Sequence, residues 1–572
     1  MEKQNKISLL LEFVSRITKH PFLTSAAVCL LSTFITTGTE FSPLAFIIPA
    51  LTMAVFGVYS ALFISEKAPE KSRVSLIGVL CFAVGIFSPI FGYFISQSQR
   101  PYLTILMTGI ISVIAAGLYM FFSRNLNTGR FVMLMLALGF LLRLAYIMNN
   151  TVRYHQHDAG SAEELDGHMG YIAYLSYNLH LPDFDVRNVY QFYHPPLHHI
   201  IAAMWVRIQN LLGIPFDNIW ENVQILTLFY SCCCMILCYK IFRKLSLDGT
   251  GLCSAMAIIC FNPTLFILSG SVNNDMLCLT FMLAAVYNTL YWYKSRNFGR
   301  IICIAVSVGC AMMSKLSGWM VAPAIAFIFI YVFFTELRSY KKYIPQYAAF
   351  LPVCAALGLW WGIRNYALYQ VPITYVMELS ERSEQYIGDI PVMKRLFDFN
   401  FTQFENVGDQ FMMYDGAYNE YNPLIALFKT SAFDELYTVH FYKAVAGWDK
   451  FLFFSVLAVG MIAFFAMVFV MIFDKKTSGV HKIFLGLIYG VILISYYIFC
   501  IKFPQVCTEN IRYAVPLIVI GAYFFGRTVQ ILLNTEKNGL KIAGKITGTA
   551  LCSITVIYSI SSVIFYYITF MG

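Results

Sequence analysis

The chain has 572 residues, of which 59% are hydrophobic and only 12% are charged, with a formal net charge of +9. Soluble domains usually carry about 25% charged residues, so this composition excludes an ordinary soluble protein. Apolar runs close to the ~20 residues that cross a bilayer recur along the chain. Because these runs are continuous and do not alternate, they predict an all-α polytopic membrane protein. The basic residues fall in short loops between the runs, where they orient the protein, so we expect no nucleic-acid partner.

The N-terminal part of the chain predicts four spans, at residues 22–38, 43–64, 74–97 and 102–122. The loop after the second span carries Lys67, Lys71 and Arg73, and we expect it to be cytoplasmic. Residues 2–14 lack a cleavable signal pattern. Since the four spans carry almost no charge, we interpret residues 1–125 as an accessory module and residues 126–572 as the core.

The core begins with a span at residues 130–148 that leads to a first outer loop at residues 149–199. Residues 197–212 are predicted as an interfacial helix, because a crossing there would reverse the charge bias of every later loop. A second large outer loop follows at residues 364–450. The remaining predicted spans are residues 223–242, 252–270, 276–293, 301–313, 319–334, 347–361, 451–473, 484–501, 513–532 and 546–570. The predicted architecture therefore has about fifteen transmembrane helices and two large outer-face loops.

The first outer loop is the first long polar segment of the chain, and seven of the ten histidines lie in it. Polar groups gathered at the edge of a membrane domain indicate a functional site. Asp158 and Asp166 are candidate general bases that would take a proton from an acceptor hydroxyl or amine. His157 and His168 would orient such a carboxylate or tune it. The alternative is that either aspartate only caps the helix that follows.

The first loop ends in the sequence QFYHPPLHH at residues 191–199. Two prolines fix an extended entry, and Pro196 can open a helix. The helix N-terminus together with His194 suits a phosphate group. A rigid corner without a ligand is the alternative. The HxH and HH spacings lack the i, i+4 geometry of a dedicated metal site, so we expect no metal.

The later outer turns carry an acid and three cations. Asp275 follows two asparagines at an outer turn, where it acts in catalysis or only caps a helix. Lys315, Arg364 and Arg512 lie at the outer membrane edge, where positive charge is normally depleted. An anionic phosphate explains them, and snorkelling towards lipid head groups is the alternative.

In their order along the chain, these motifs resemble those of the GT-C membrane glycosyltransferases. They are the acidic first loop, FYHPPLHH, the Asn-Asn-Asp turn, SKLSG, the sequence WGIRN and the late Arg-Tyr pair. The nearest group is family 39, related to protein O-mannosyltransferases and to the lipid A aminoarabinose transferase. The resemblance covers roughly residues 130–572.

The resemblance implies inverting transfer of a sugar from a polyprenyl-phosphate donor to a lipid, glycan or protein acceptor. No cofactor is implied. Its first-loop base falls on Asp158 or Asp166: Asp166 has the family's distance to a following tyrosine, Tyr171, while His157-Asp158 has the character of its acidic motif. Its second acid falls on Asp275, its phosphate contacts fall on His194, Lys315 and Arg512, and supporting roles fall to His157, His168 and Arg364.

A transporter or flippase of a lipid-linked glycan is the alternative function. Such a protein would place charged residues within the spans, along a path. The predicted spans are nearly free of charge and the polar groups share one face, which favours the enzyme over the transporter and over a purely structural subunit. We therefore expect a bacterial plasma-membrane protein with an active site on the outer face. The sequence specifies neither the sugar nor the acceptor.

Overall fold

The structure is a computed structural model that describes residues 109–571, with internal gaps. Two gaps are long, at residues 400–419 and 435–446. The short ones are residues 112, 115–116, 119, 123, 125, 153–155 and 537–538. The first three predicted N-terminal spans and the beginning of the fourth lie outside the described residues. The accessory module therefore stays a prediction.

The described part of the chain is helical and contains no β-strand. Its helices with complete bounds are α1 (Thr128–Asn149), α2 (Gly167–Asn178), α3 (Leu197–Leu211), α4 (Phe216–Glu221), α5 (Gln224–Lys244), α6 (Gly249–Phe261), α7 (Pro263–Ile267), α8 (Asp275–Ser295), α9 (Phe298–Ser314), α10 (Ala322–Thr335), α11 (Tyr340–Gly358), α12 (Trp360–Tyr369), α13 (Val392–Phe397), α14 (Pro423–Phe433), α15 (Trp448–Phe473), α16 (Gly479–Lys502), α17 (Pro516–Leu533) and α18 (Lys541–Met571). Short 3₁₀ turns lie at Val186–Asn188, Leu268–Gly270, Leu316–Val321, Leu337–Ser339, Val506–Glu509 and Ile511–Tyr513.

Eight of these helical segments are long and apolar enough to cross a membrane, or ten if each of two bent pairs is one span. The helix α9 is apolar but shorter. Ten of the eleven predicted spans of the core correspond to these segments, and the span predicted at residues 301–313 corresponds to the shorter α9. The chain is therefore a multi-pass membrane protein. The total of about fifteen stays a prediction, because it includes the N-terminal spans.

The predicted span at residues 252–270 is bent by 51° between α6 and α7. The bend follows from Pro263, which cannot donate the hydrogen bond that would continue α6. Asn262 starts the second piece, because its side chain accepts from the backbone N–H of Leu265. The freed carbonyls of Ile259 and Cys260 accept hydrogen bonds from Arg143 of α1. One buried guanidinium thus satisfies the broken end of another helix.

The segment predicted as the second outer loop is partly helical. Arg364 lies on α12, which follows α11 after a bend of 52°. Further along the segment, α14 is a mostly buried apolar helix, which the sequence analysis did not predict. Its carbonyl at Ala432 accepts a hydrogen bond from Tyr566 of α18. The apolar run is too short to signal a span, so composition alone did not reveal this helix.

The first outer loop contains two packed helices, α2 and α3. Arg207 of α3 donates a hydrogen bond of 2.9 Å to the carbonyl of Ser176 near the end of α2. The helix predicted at residues 197–212 is present as α3, and with 15 residues it is shorter than the candidate spans. Its position along the membrane surface stays a prediction.

We predict that Arg143→Lys lowers the thermal stability of the protein. Arg143 is fully buried and donates to Ser231 and to three carbonyls, including those of Gly139 and Cys260. Lysine keeps the buried charge but lacks the planar fork, so carbonyls at the break in α6 lose their donors. We expect a loss of about 2 kcal/mol, measured as the unfolding midpoint in detergent.

The matched control is Arg338→Lys, at an exposed arginine between α10 and α11. It should leave the midpoint unchanged. Equal midpoints for Arg143→Lys and the parent protein would contradict this account of the break.

Candidate active site

A cavity of about 940 Å³ lies where the first outer loop meets the turns that follow α9 and α16. Its polar end is formed by Asp158, His168, His194, Lys315 and Arg512. Its other walls come from the turn after α12 and from α16. Four of the six predicted catalytic and phosphate-binding residues therefore line one cavity. They are Asp158, His194, Lys315 and Arg512.

An ion pair closes the polar end of this cavity. Arg512 Nη1 lies 2.9 Å from Asp158 Oδ2. The other carboxylate oxygen of Asp158 accepts a 2.5 Å hydrogen bond from the hydroxyl of Tyr190. Asp158 sits in a left-handed turn with φ of 56°, and its carbonyl accepts from the backbone N–H of His168 at the start of α2. The turn therefore aims the carboxylate away from α2 and towards Arg512.

The pKa of Asp158 lies below its ordinary value. Burial opposes ionisation of this carboxyl group, but the charge of Arg512 and the hydrogen bond from Tyr190 outweigh it. Asp158 is therefore a carboxylate at neutral pH. It can accept a proton, and it becomes a stronger base if its cation is drawn away.

A second ion pair lies beside the first. Lys315 Nζ pairs with Asp275 Oδ1, and the other oxygen of Asp275 is buried without a hydrogen-bond partner among the described residues. Lys315 Nζ and the guanidinium carbon of Arg512 each lie 4.9 Å from the ring centre of Tyr513. Both cations therefore contact the same aromatic ring.

Four histidines of the first loop, His168, His194, His198 and His199, form a group of neutral rings, because burial lowers the pKa of each. His168 Nδ1 and His199 Nε2 are 2.9 Å apart, and the ring of His194 stacks on His168. Burial, reinforced by the charge of Lys315, lowers the pKa of His194 to about 3. His194 can therefore donate an N–H hydrogen bond to a phosphate, but it carries no positive charge. The phosphate contact predicted for it is thus limited to a hydrogen bond.

The first loop also fixes the turn that precedes Asp275. Gln156 donates 2.9 Å to the carbonyl of Gly270 and accepts 3.0 Å from the N–H of Val272. His198 Nε2 lies 2.7 Å from the carbonyl of Val272, where it acts as the donor. Asn274 then donates to the carbonyl of Ser314, next to Lys315. Neutral hydrogen bonds thus set the positions of both members of the second ion pair.

One wall of the cavity is apolar and reaches the outside of the helix bundle. Trp319 is 42% exposed and Ile498 is 59% exposed, and both line the cavity. Other apolar residues of this wall are Met320, Leu359, Phe499 and Ile501. The cavity therefore combines a charged end with an apolar side, as a ligand with a charged head and a hydrocarbon tail requires.

Four predicted residues do not line the cavity: Asp275, which reaches it only through its pair with Lys315, and Asp166, Arg364 and His157. Asp166 precedes α2 without capping it, and neither Asp166 nor Arg364 lines the cavity. Arg364 instead donates 2.6 Å to the carbonyl of Pro182, where it ties α12 to the first loop. His157 Nε2 lies 2.7 Å from both carboxylate oxygens of Asp434. The structure thus brings Asp158 into the cavity and leaves Asp166 beside α2.

Tyr190, Asp434 and Asn510 were not predicted as site residues, and Tyr513 was named only as part of the late Arg-Tyr pair. Tyr513 directly follows Arg512, and this adjacency was the one available signal. Tyr190 and Asp434 act on residues far along the chain, so no spacing identified them. Among the described residues, no group of three or more His, Cys, Asp or Glu side chains is arranged to hold a metal ion.

Comparison with known proteins supports the resemblance inferred from the motifs. Residues 193–361 match the model of the family described as dolichyl-phosphate-mannose-protein mannosyltransferase. This segment carries His194, Asp275 and Lys315, and the match confirms the predicted resemblance to GT-C glycosyltransferases. No curated protein matches the chain.

Among solved structures, the chain is similar to a crystal structure of the apo form of the Archaeoglobus fulgidus oligosaccharyltransferase. The similarity has a TM-score of 0.38 and 13% sequence identity, and it covers 75% of this chain. The chain spans 56% of the length of that protein.

We predict that Gln156→Glu loosens the turn at residues 270–275. Glutamate cannot donate to the carbonyl of Gly270, and its charge would face that oxygen. The expected loss is about 1–3 kcal/mol of stability, with faster hydrogen exchange of the turn amides. Gln370→Glu, at an exposed glutamine after α12, is the matched control. Unchanged exchange at residues 270–275 would show that Gln156 does not hold this turn.

Proposed function

We propose that this membrane glycosyltransferase of the GT-C type moves a sugar from a polyprenyl-phosphate donor to an acceptor hydroxyl or amine, with inversion at the anomeric carbon. The observation that carries the proposal is the ionised carboxylate of Asp158, which faces Arg512 at the charged end of a cavity with an apolar wall. A base, a cationic binding site and a lipid-sized groove therefore lie within one space.

The donor phosphate would bind between Arg512 and Lys315. Each cation is paired with a carboxylate in the free protein, and an incoming phosphate competes for it. Guanidinium and ammonium groups both form strong charge-assisted hydrogen bonds with phosphate oxygens. The neutral imidazole of His194 adds a donor. The polyprenyl chain would then follow the wall at Trp319 and Ile498 towards the lipid.

The chemical step is one displacement. Asp158 takes the proton of the acceptor hydroxyl or amine, and the acceptor atom forms a bond to the anomeric carbon. The bond from that carbon to the phosphate oxygen breaks, and both its electrons leave with the polyprenyl phosphate. Arg512 and Lys315 stabilise the negative charge that develops on this leaving group. The proton ends on Asp158, so the step is balanced without a cofactor.

Donor binding would also tune the base. In the free protein Arg512 keeps the pKa of Asp158 below its ordinary value. A phosphate that draws Arg512 towards itself weakens this effect while the carboxyl group stays buried, so the pKa of Asp158 rises. The carboxylate becomes a better proton acceptor at the moment when both substrates are present.

The acceptor would enter beside the aromatic side chains of the polar end. Tyr193 and Tyr375 line the cavity in edge-to-face contact, with ring centres 5.5 Å apart. Such rings pack against a sugar or a lipid. Because all these groups belong to loops placed outside by the charge bias, the site would face the outside of a bacterial plasma membrane.

We predict that Asp158→Asn lowers transfer by about a hundredfold to ten-thousandfold, because the amide cannot take the acceptor's proton. Purified protein in detergent is given radiolabelled polyprenyl-phosphate hexose, and release of polyprenyl phosphate is measured. Asp166→Asn is the matched control and should keep activity close to that of the parent, since Asp166 does not line the cavity.

A measurement of polyprenyl-phosphate binding distinguishes loss of the base from loss of the phosphate site. Asp158→Asn leaves Arg512 without its counter-charge, so the variant should bind polyprenyl phosphate at least as tightly as the parent. Loss of activity in Asp166→Asn alone would move the base to Asp166. Binding of the donor without release of polyprenyl phosphate, in combination with its passage across a vesicle membrane, would favour the transporter.

A second prediction concerns pH. The acid limb of kcat/KM reports the free enzyme, in which Arg512 lowers the pKa of Asp158, so this limb should lie at low pH. The acid limb of kcat reports the donor complex and should lie at higher pH, because the phosphate shares the cation. Profiles between about pH 4 and 9 should therefore show an acid limb in kcat and none in kcat/KM. Coincident limbs would contradict the competition for Arg512.

A further inference from the structure

A closed ring of contacts surrounds the Asp158–Arg512 pair, and one of its members is an aspartate of the second outer loop. The carboxylate of Asp434 accepts from His157 Nε2 at 2.7 Å and from Asn510 Nδ2 at 2.8 Å. His157 directly precedes Asp158 in the chain. Asp434 thus contacts the neighbours of both members of the ion pair without lining the cavity.

Asn510 completes the ring. Its Oδ1 accepts from the backbone N–H of Arg512 at 2.9 Å, while its Nδ2 donates to Asp434. Arg512 then reaches Asp158 through Nη1. The ring therefore passes from Asp434 through His157 and Asp158 to Arg512 and back through Asn510. Three segments that are distant in sequence meet in it.

Backbone conformation marks both acids of the ring. Asp434 has φ of 62° and ψ of −175°, and Asp158 has φ of 56°. The conformation of Asp434 belongs to a region that residues other than glycine rarely occupy, and it costs about 1–3 kcal/mol. Such a conformation persists where the surrounding contacts over-determine it. At Asp434 those contacts are the two hydrogen bonds that orient its carboxylate.

The helix that carries Asp434 is firmly anchored. Asp434 lies at the end of α14, and its side chain is 11% exposed while that of His157 is 2% exposed. Thr430 of α14 accepts a 2.9 Å hydrogen bond from the N–H of Ile511, next to Arg512. The helix therefore offers a fixed reference against which both the first loop and the Arg512 turn are held.

We propose that Asp434 is a positioning residue for sugar transfer, which holds the Asp158 carboxylate and the Arg512 guanidinium in register across the cavity. This inference rests on the function proposed above. Asp434 acts through His157 on one side and through Asn510 on the other. Neither substrate touches it.

The ring constrains how far Arg512 moves when the phosphate arrives. The groups that face Asp158 are Arg512, His168, His157 and Tyr190. If Asp434 no longer orients His157 and Asn510, Arg512 is free to drift from Asp158, and the phosphate loses its fixed partner in the transition state. Ground-state binding through Lys315 persists. The loss should therefore appear in kcat and much less in the KM for the donor.

The test is Asp434→Asn, which keeps the shape of the side chain but removes its charge and one acceptor oxygen. With polyprenyl-phosphate hexose as the donor, we expect kcat to fall about tenfold to hundredfold, as for a small displacement of reacting groups. The KM for the donor should change less than about twofold. An acid limb of kcat/KM should appear within the range of about pH 4 to 9, because Arg512 lowers the pKa of Asp158 less effectively.

Asp398→Asn is the matched control. Asp398 is a half-buried aspartate of the same outer loop, and it accepts a hydrogen bond from the hydroxyl of Tyr421. It lies outside the ring, so any loss of loop stability it causes should leave the acid limb in place. If Asp398→Asn shifts the limb as Asp434→Asn does, the effect comes from general loosening and the positioning role is wrong.

The ring is also tested without turnover. No contact joins the carboxylates of Asp158 and Asp434 in the described part of the chain, so their effects on thermal unfolding would add if the sites were independent. We expect the double variant Asp158→Asn with Asp434→Asn to lose less stability than the sum of the single variants, because each single change already opens the ring. Additive losses would show that the ring of contacts does not couple Asp158 to Asp434.

Binding of polyprenyl phosphate alone separates the two proposals. If the parent protein does not bind it, the proposed donor is wrong, while non-additive unfolding still supports the ring. If parent and Asp434→Asn bind it equally and share the same kcat and acid limb, the donor stands and the positioning role of Asp434 is overturned.

Discussion

The ion pair between Asp158 and Arg512 joins residues that lie 354 positions apart in the chain. A carboxylate buried at a membrane edge stays ionised only if a cation lies close to it, since burial alone favours its protonated form. The need for this partner forces the first outer loop and the turn after α16 to meet. The cavity, the aromatic contact at Tyr513 and the placement of Lys315 all depend on that meeting.

The polar end of the cavity is electrically balanced before any substrate arrives. Asp158 and Asp275 offset Arg512 and Lys315, and the buried histidine His194 has too low a pKa to add charge. The proposed donor would bring one extra negative charge into this low-dielectric space. Proton uptake by a carboxylate would relieve the excess, so the charge balance would favour the proposed transfer of the acceptor's proton to Asp158.

The sequence predicted the apolar helices of the core and four candidate site residues that line one cavity, because hydropathy and charge bias act locally along the chain. It left Asp158 and Asp166 undecided, since both precede the same helix. The difference between them is a left-handed turn at Asp158 that aims its carboxylate at a residue from the other end of the chain. The hydrogen bond between Tyr190 and Asp158 cannot be predicted from the spacing of these residues in the sequence. The sequence did not predict the helix α14, because its apolar run of 11 residues is too short to indicate a membrane span.

Arg364 shows why a cation at the membrane edge is not by itself a phosphate ligand. Its guanidinium donates to the carbonyl of Pro182 and so serves to hold α12 against the first loop. Gln156 and His198 hold the turn before Asp275 in the same neutral way. These hydrogen bonds to main-chain carbonyls tie the scaffold together outside the polar end of the cavity. Arg512 and Lys315 line the cavity, whereas Arg364 does not, so an anion in that space meets only the first two cations.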